Sequence, residues 1–165
     1  MESSSVADWS GFFAAAAGAA GALAGLVFVS LSINLARIIE LPGVSGRAAE
    51  TLILLAGTLA GTLLVLIPHL SSEYLGVTLL AVALPTWLGP VIIQARSVRA
   101  HTFQHPSLAV LRAVLHQIAT LPGVLSGLSL CGLLPGGIAW FACGVIACMI
   151  LAMFNAWILL VEILR

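Results

Sequence analysis

Five long apolar stretches constrain this chain more than any other feature. They run over 11–39, 48–67, 75–93, 108–130 and 137–163, the first with its clean apolar part ending near Ile33. A helix rises 1.5 Å per residue, so roughly 20 residues cross a hydrocarbon layer of about 30 Å, and each stretch is long enough. Lipid offers no partner to an unpaired backbone group, which makes helix the default for every crossing. The interruptions are turn-forming: LPGVSG at 41–46, PHLSSEY at 68–74, the polar run from Ala95 to Pro106, and CGLLPGG at 131–137. Pro106 suits the first turn of a fourth helix, where its missing N–H costs nothing.

The expected fold is therefore all-α: one integral membrane helical bundle over 1–165 with five transmembrane helices. Its first partner is the lipid bilayer itself. Only 7% of the residues are charged, against about a quarter in a soluble domain, whose surface must meet water. The fourth stretch carries Arg112, His116, Gln117 and Thr120, so four spans plus one interfacial amphipathic helix is the alternative. Spanning is favoured, because otherwise Arg165 would move to the side away from the other arginines.

The charges are polarised although their total is zero. Alternating five spans gathers all six arginines at one side with Glu40, Glu50 and Glu162, for a net +3; Glu2, Asp8 and Glu73 give −3 to the other. The positive-inside rule then puts the N-terminus outside and the C-terminus in the cytoplasm. Trp9, Tyr74 and Trp140 fall at outer helix ends, and Phe103 and Trp157 towards the inner side, as interfacial aromatics do; Trp87 lies well inside the third span. The first residues carry Glu2 and Asp8 and no basic side chain, so the first stretch reads as a retained helix rather than a cleaved leader. The chain has no lysine and abundant Ala, Gly, Leu and Val, a codon-level sign of a GC-rich bacterial genome and an inner-membrane setting. No Lys/Arg-rich tract exists to neutralise phosphates, which sets nucleic acid aside.

Polar side chains within the spans are the candidate site. Asn34 and Arg37 follow Ser30 at helical spacing, Glu50 opens the second helix, Arg112 and His116 share a stripe with Thr120, and Asn155 and Glu162 stand seven apart. An ionised group facing lipid is costly, so these side chains should turn inward and pair, or snorkel. Arg112 has Glu162 or Glu50 as a partner. Two readings stand: a polar network that holds helix register, and a cytoplasmic-side vestibule for an ion, proton or small solute.

Small residues suggest close helix packing. Gly18, Gly21 and Gly25 lie in the first stretch and Gly57 and Gly61 in the second, and four-residue spacing lets backbones approach. The simplest expectation is packing of the first two helices against each other across LPGVSG; an oligomer face is the other. Pro85, Pro90 and Pro122 read as kinks that neighbouring helices tolerate.

No catalytic residue, cofactor or metal is expected. His101 and His105 lie in a polar connection without a nearby carboxylate or thiol. Cys131, Cys143 and Cys148 form no C-x-x-C pair and read as buried, inert thiols. Neither H-E-x-x-H nor G-x-S-x-G occurs.

The segment FFAAAAGAAGALAGLVFVSLSINLARIIELPGVSGRAAE and the ending NAWILLVEILR resemble a family of small, uncharacterised bacterial integral membrane proteins, mainly actinobacterial. The resemblance implies an inner-membrane location and carries over no activity. The expected function is a non-enzymatic accessory or structural role through helix–helix contacts, with another membrane protein or with itself as a homo-oligomer. The alternative is a small oligomeric channel or transporter.

Overall fold

The computed structural model describes residues 6–41, 43–99 and 106–164. A 3₁₀ turn, Val6–Trp9, leads into α1 (Ser10–Ile33), followed by α2 (Leu35–Glu40), α3 (Val44–Val65), α4 (Ser72–Arg99), α5 (Pro106–Leu130) and α6 (Ala139–Leu164). The fold is all-α, and five of these helices (all but α2) are long and apolar enough to span a membrane. Their outer faces carry large apolar side chains in the open, such as Ile33, Leu26, Ile118 and Ile150. On a soluble protein such a surface would be an aggregation hazard; against hydrocarbon it costs nothing.

Helices α3, α4, α5 and α6 form a ring in which each packs on the next and α6 returns to α3. Helix α1 lies outside this ring, mainly against α3. Its buried face is Phe13, Ala16, Ala17 and Ala20, with Phe13 stacked on Phe141 of α6 at 5.5 Å between ring centroids. One end of the bundle is closed by Phe13, Val65, Leu75, Ile138 and Phe141. At the other end Ile38 of α2 packs with Val44 and Ala48 of α3 and Leu159 of α6. Neighbouring helices therefore run antiparallel, which places Arg37, Arg47, Arg96, Arg99 and Arg112 at that second, arginine-bearing end. Arg165, His101, Phe103 and His105 lie outside the described residues.

Several boundaries differ from the sequence reading. The first stretch is two helices, not one over 11–39, because it breaks at Asn34. There the side-chain Nδ2 donates to the Ser30 carbonyl at 2.9 Å, and Ser32 Oγ donates to that of Phe28; side chains competing for carbonyls weaken the helical ladder. Helix α3 starts at Val44 rather than 48. Gly43 at φ +82° turns the chain sharply enough for the helix to begin at once. Glu50 is thus in the second helical turn, not the first. Helix α4 continues past 93 to Arg99, since polar residues beyond the hydrocarbon can still be helical. Helix α5 begins at Pro106, as its ring predicts, and runs the length of α4 and α6 as a ring member, not as an interfacial helix.

The turn after α5 is built by its own residues. Gly132 at φ +79° allows its N–H to reach the Ser129 carbonyl and the Leu133 N–H to reach that of Leu128 at 3.0 Å, a Schellman closure. Ser129 Oγ then accepts from the Gly137 N–H at 2.6 Å and donates to the Leu134 carbonyl at 2.7 Å.

Candidate functional site

Glu50 on α3 and Arg112 on α5 stand diagonally across the ring, and their side chains meet in its interior. Arg112 Nη2 lies 2.7 Å from Glu50 Oε2, and Arg112 Nε donates to the same oxygen at 3.0 Å. Gln94 of α4 adds Nε2 at 3.4 Å. Three helices are thereby tied at one carboxylate oxygen that is shut off from solvent, Glu50 being 1% exposed. The other oxygen, Oε1, is buried with no hydrogen-bond partner among the described residues. Glu50 and Arg112 each stand six residues beyond the first residue of helices that both start from the arginine-bearing end, so the two side chains meet at a similar depth.

One turn deeper, buried His116 faces a proline-weakened part of α4. Pro90 has no N–H and removes a rung from the turn holding Thr86 and Trp87. His116 Nε2 lies 3.3 Å from the Trp87 carbonyl oxygen and donates to it in the Nε2-protonated tautomer. The Trp87 indole Nε1 donates to Gln117 Oε1 at 2.6 Å. This explains why Trp87 departs from the interfacial belt: its polar atom is used inside the bundle, between α4 and α5.

Below this layer the ring interior is lined by hydroxyls that satisfy themselves. Thr58 donates to the Leu54 carbonyl and Thr120 to that of His116, both at 2.8 Å; Cys148 Sγ lies 3.2 Å from the Ala119 carbonyl. The space among them, bordered also by Thr86, Gly123 and Phe141, is a cavity of about 30 Å³, enough for one or two waters and nothing larger. A Cβ on Gly61 would come 2.5 Å from Cζ of Phe141, so this ring fills the interior where the cavity ends.

The sequence-predicted residues divide cleanly. Glu50, Arg112 and His116 come together. Arg37 is exposed on α2, away from that interior. Asn34 bonds back to its own helix. Asn155 is buried on α6 but joins no hydrogen bond to the cluster. The Glu162 side chain lies outside the described residues. Sequence reading misses Gln94 because hydropathy ends the third stretch at Ile93. Following the inner face of α4 through Leu79, Ala83 and Pro90 at helical steps leads to Gln94 as the next inward position.

Glycine packing is also redistributed. A Cβ on Gly18 or Gly25 would meet nothing within 4 Å, and one on Gly21 only Leu59 at 3.9 Å. The expected packing of the first two spans on each other holds, but Gly18 and Gly25 take no part in it; the buried face of α1 is Phe13, Ala16, Ala17 and Ala20. Gly57 does serve packing, with Thr86 of α4 occupying the space a Cβ would need, and so does Gly61. Backbones also come close between Gly76 of α4 and Gly127 of α5, where a Cβ on Gly76 would lie 2.9 Å from the Gly127 carbonyl oxygen. Gly144 of α6 similarly faces Gly123 of α5. Gly123 and Gly127 stand four apart on α5, a G-x-x-x-G that the sequence reading did not select, whereas Gly76 and Gly144 lie outside such spacing. The thiols differ too: Cys148 is buried, but Cys143 is exposed on the bundle exterior and Cys131 partly so.

Comparison with known proteins found no match to any family model, curated protein or solved structure.

Proposed function

We propose that this membrane protein is a non-enzymatic accessory component that works through helix–helix contacts with another membrane protein or a second copy of itself. The setting we infer is a bacterial inner membrane, with the N-terminus outside and the arginine-bearing end in the cytoplasm. Membership in the actinobacterial family that both ends of the chain resemble is part of the same proposal. The observation that carries the reading is that Gly18 and Gly25 of α1 face outward with open space above them. Small residues that pack nothing at home leave a helix surface that another helix can approach closely. A filled ring interior supports the same reading: Phe141 occupies the space beside Gly61, and the charged pair bonds to itself.

Substituting Gly18 or Gly25 by isoleucine tests it. Association, read by native mass spectrometry after gentle extraction, should fall while helicity and thermal unfolding stay unchanged. Unchanged association in both variants would refute the reading. The second reading is an oligomeric channel, favoured by one feature, the buried Glu50 Oε1 without a hydrogen-bond partner among the described residues. Ion flux into liposomes that disappears in Glu50→Gln would replace the first reading with this one.

A further inference from the structure

A groove opens on the lipid-facing surface between α1 and α6, in the half of the bundle nearer the arginine-bearing end. It exists because α1 departs from the ring. The first half of α1 is held tightly by Phe13, Ala16, Ala17 and Ala20, whereas its contact with α6 is slight. The groove is about 320 Å³, with Val27 and Leu31 on one wall, Ala152 and Ala156 on the other, and Leu55 of α3 at its base. That volume is at the lower end of ligand-sized pockets, roughly 300–1,000 Å³. It lies nearly half a turn around α1 from Gly18 and Gly25, on a different helix face.

The arginine-bearing end of the groove is closed by side chains. Leu159, which lines it, packs with Ile38 of α2, and Leu31 packs on the same cluster. Arg37 precedes Ile38 in the chain and is exposed, with no ion pair among the described residues. The break at Asn34 is what allows α2 to bring Ile38 onto Leu159, and so sets Arg37, one residue before Ile38, at the end of the bundle where the groove closes. An apolar slot open sideways to hydrocarbon, ending beside an arginine at the membrane surface, has the polarity of one molecule of the bilayer: apolar chain, then anionic head.

We propose that this groove holds an acyl chain of an anionic phospholipid, with its headgroup phosphate met by Arg37. A basic side chain at a membrane surface favours an anionic headgroup about fivefold. Glu40, also exposed on α2, opposes this attraction and sets it below what an isolated arginine would give. A partner helix is the competing occupant, and Ala152 and Ala156 would let one approach; the exposed Arg37 at this end favours an anionic headgroup instead.

The test uses full-length protein exchanged into mixed micelles with equal amounts of phosphatidylglycerol and phosphatidylcholine, read by native mass spectrometry. Wild type should retain phosphatidylglycerol preferentially. Arg37→Gln should lower that preference about two- to fivefold, the upper figure being that of an isolated arginine, while Arg99→Gln, at the same end on α4, should leave it unchanged. Ala156→Phe, which fills the groove, should lower retention of both lipids; Val27→Phe serves the same purpose if the first variant unfolds on warming. Equal loss in Arg37→Gln and Arg99→Gln would reduce the effect to general charge and overturn the proposal. Full retention in the groove-filled variants, or a polypeptide displaced by them, would overturn it as well.

Discussion

Replacing Arg112 by methionine isolates the energetics of the buried pair. The substitution keeps the length and apolar stem but removes both contacts to Glu50 Oε2, at 2.7 and 3.0 Å. What remains is Gln94 at 3.4 Å, a weak neutral donor to a carboxylate that is 1% exposed. Removing one partner of a buried pair costs about 3–5 kcal/mol, because the other charge stays desolvated. With Gln94 retained, Arg112→Met should sit at the lower end, about 3 kcal/mol. The double variant Glu50→Leu/Arg112→Met removes the charge and its partner together and should lie within about 1 kcal/mol of wild type. Unfolding by sodium dodecyl sulfate titration in mixed micelles, followed by circular dichroism and extrapolated linearly, gives each difference. A coupling of at least about 2 kcal/mol between the two sites is expected. If Arg112→Met is as stable as wild type, or the double variant is as unstable as the single, the pair does not hold α3 against α5 and the reasoning fails.

Three further outcomes are expected. Gly57→Ala should destabilise by about 1–3 kcal/mol by overpacking against Thr86, while Gly18→Ala, with open space above it, should change stability by less than about 0.5 kcal/mol; the same titration checks both. His69, in the turn between α3 and α4, holds φ +62°, so His69→Gly should stabilise by about 1 kcal/mol, read as a shift of the unfolding midpoint. Trp87→Phe removes the donor to Gln117 and should cost about 1 kcal/mol, read by the same titration.

Part of the site is legible in the sequence alone. Glu50, Arg112 and His116 can be chosen because ionisable groups in a span must face inward, a constraint that acts on each residue by itself. Arg37 satisfies the same rule differently, by lying beyond the hydrocarbon on α2. Gln94 is lost to a boundary placed by hydropathy, although backbone hydrogen bonding, which does not follow hydropathy, carries α4 on to Arg99. Glycines mislead for a related reason. Spacing reports that small residues share a face, but not which face meets a helix. The regular set on α1 is therefore largely exterior, while the equally regular Gly57/Gly61 and Gly123/Gly127, with single Gly76 and Gly144, make the close contacts.

The sequence by itself determined five spans, their helical state and the gathering of arginine at one end. Each follows from a local requirement, the matching of a segment to hydrocarbon or of a charge to water. Only the tertiary structure decided that α3 to α6 close a ring with α1 outside, that Arg112 takes Glu50 across its diagonal, and that a groove remains beside α6. Those outcomes depend on shape complementarity between distant surfaces, which no single segment encodes and which lipid, equally apolar everywhere, does nothing to bias.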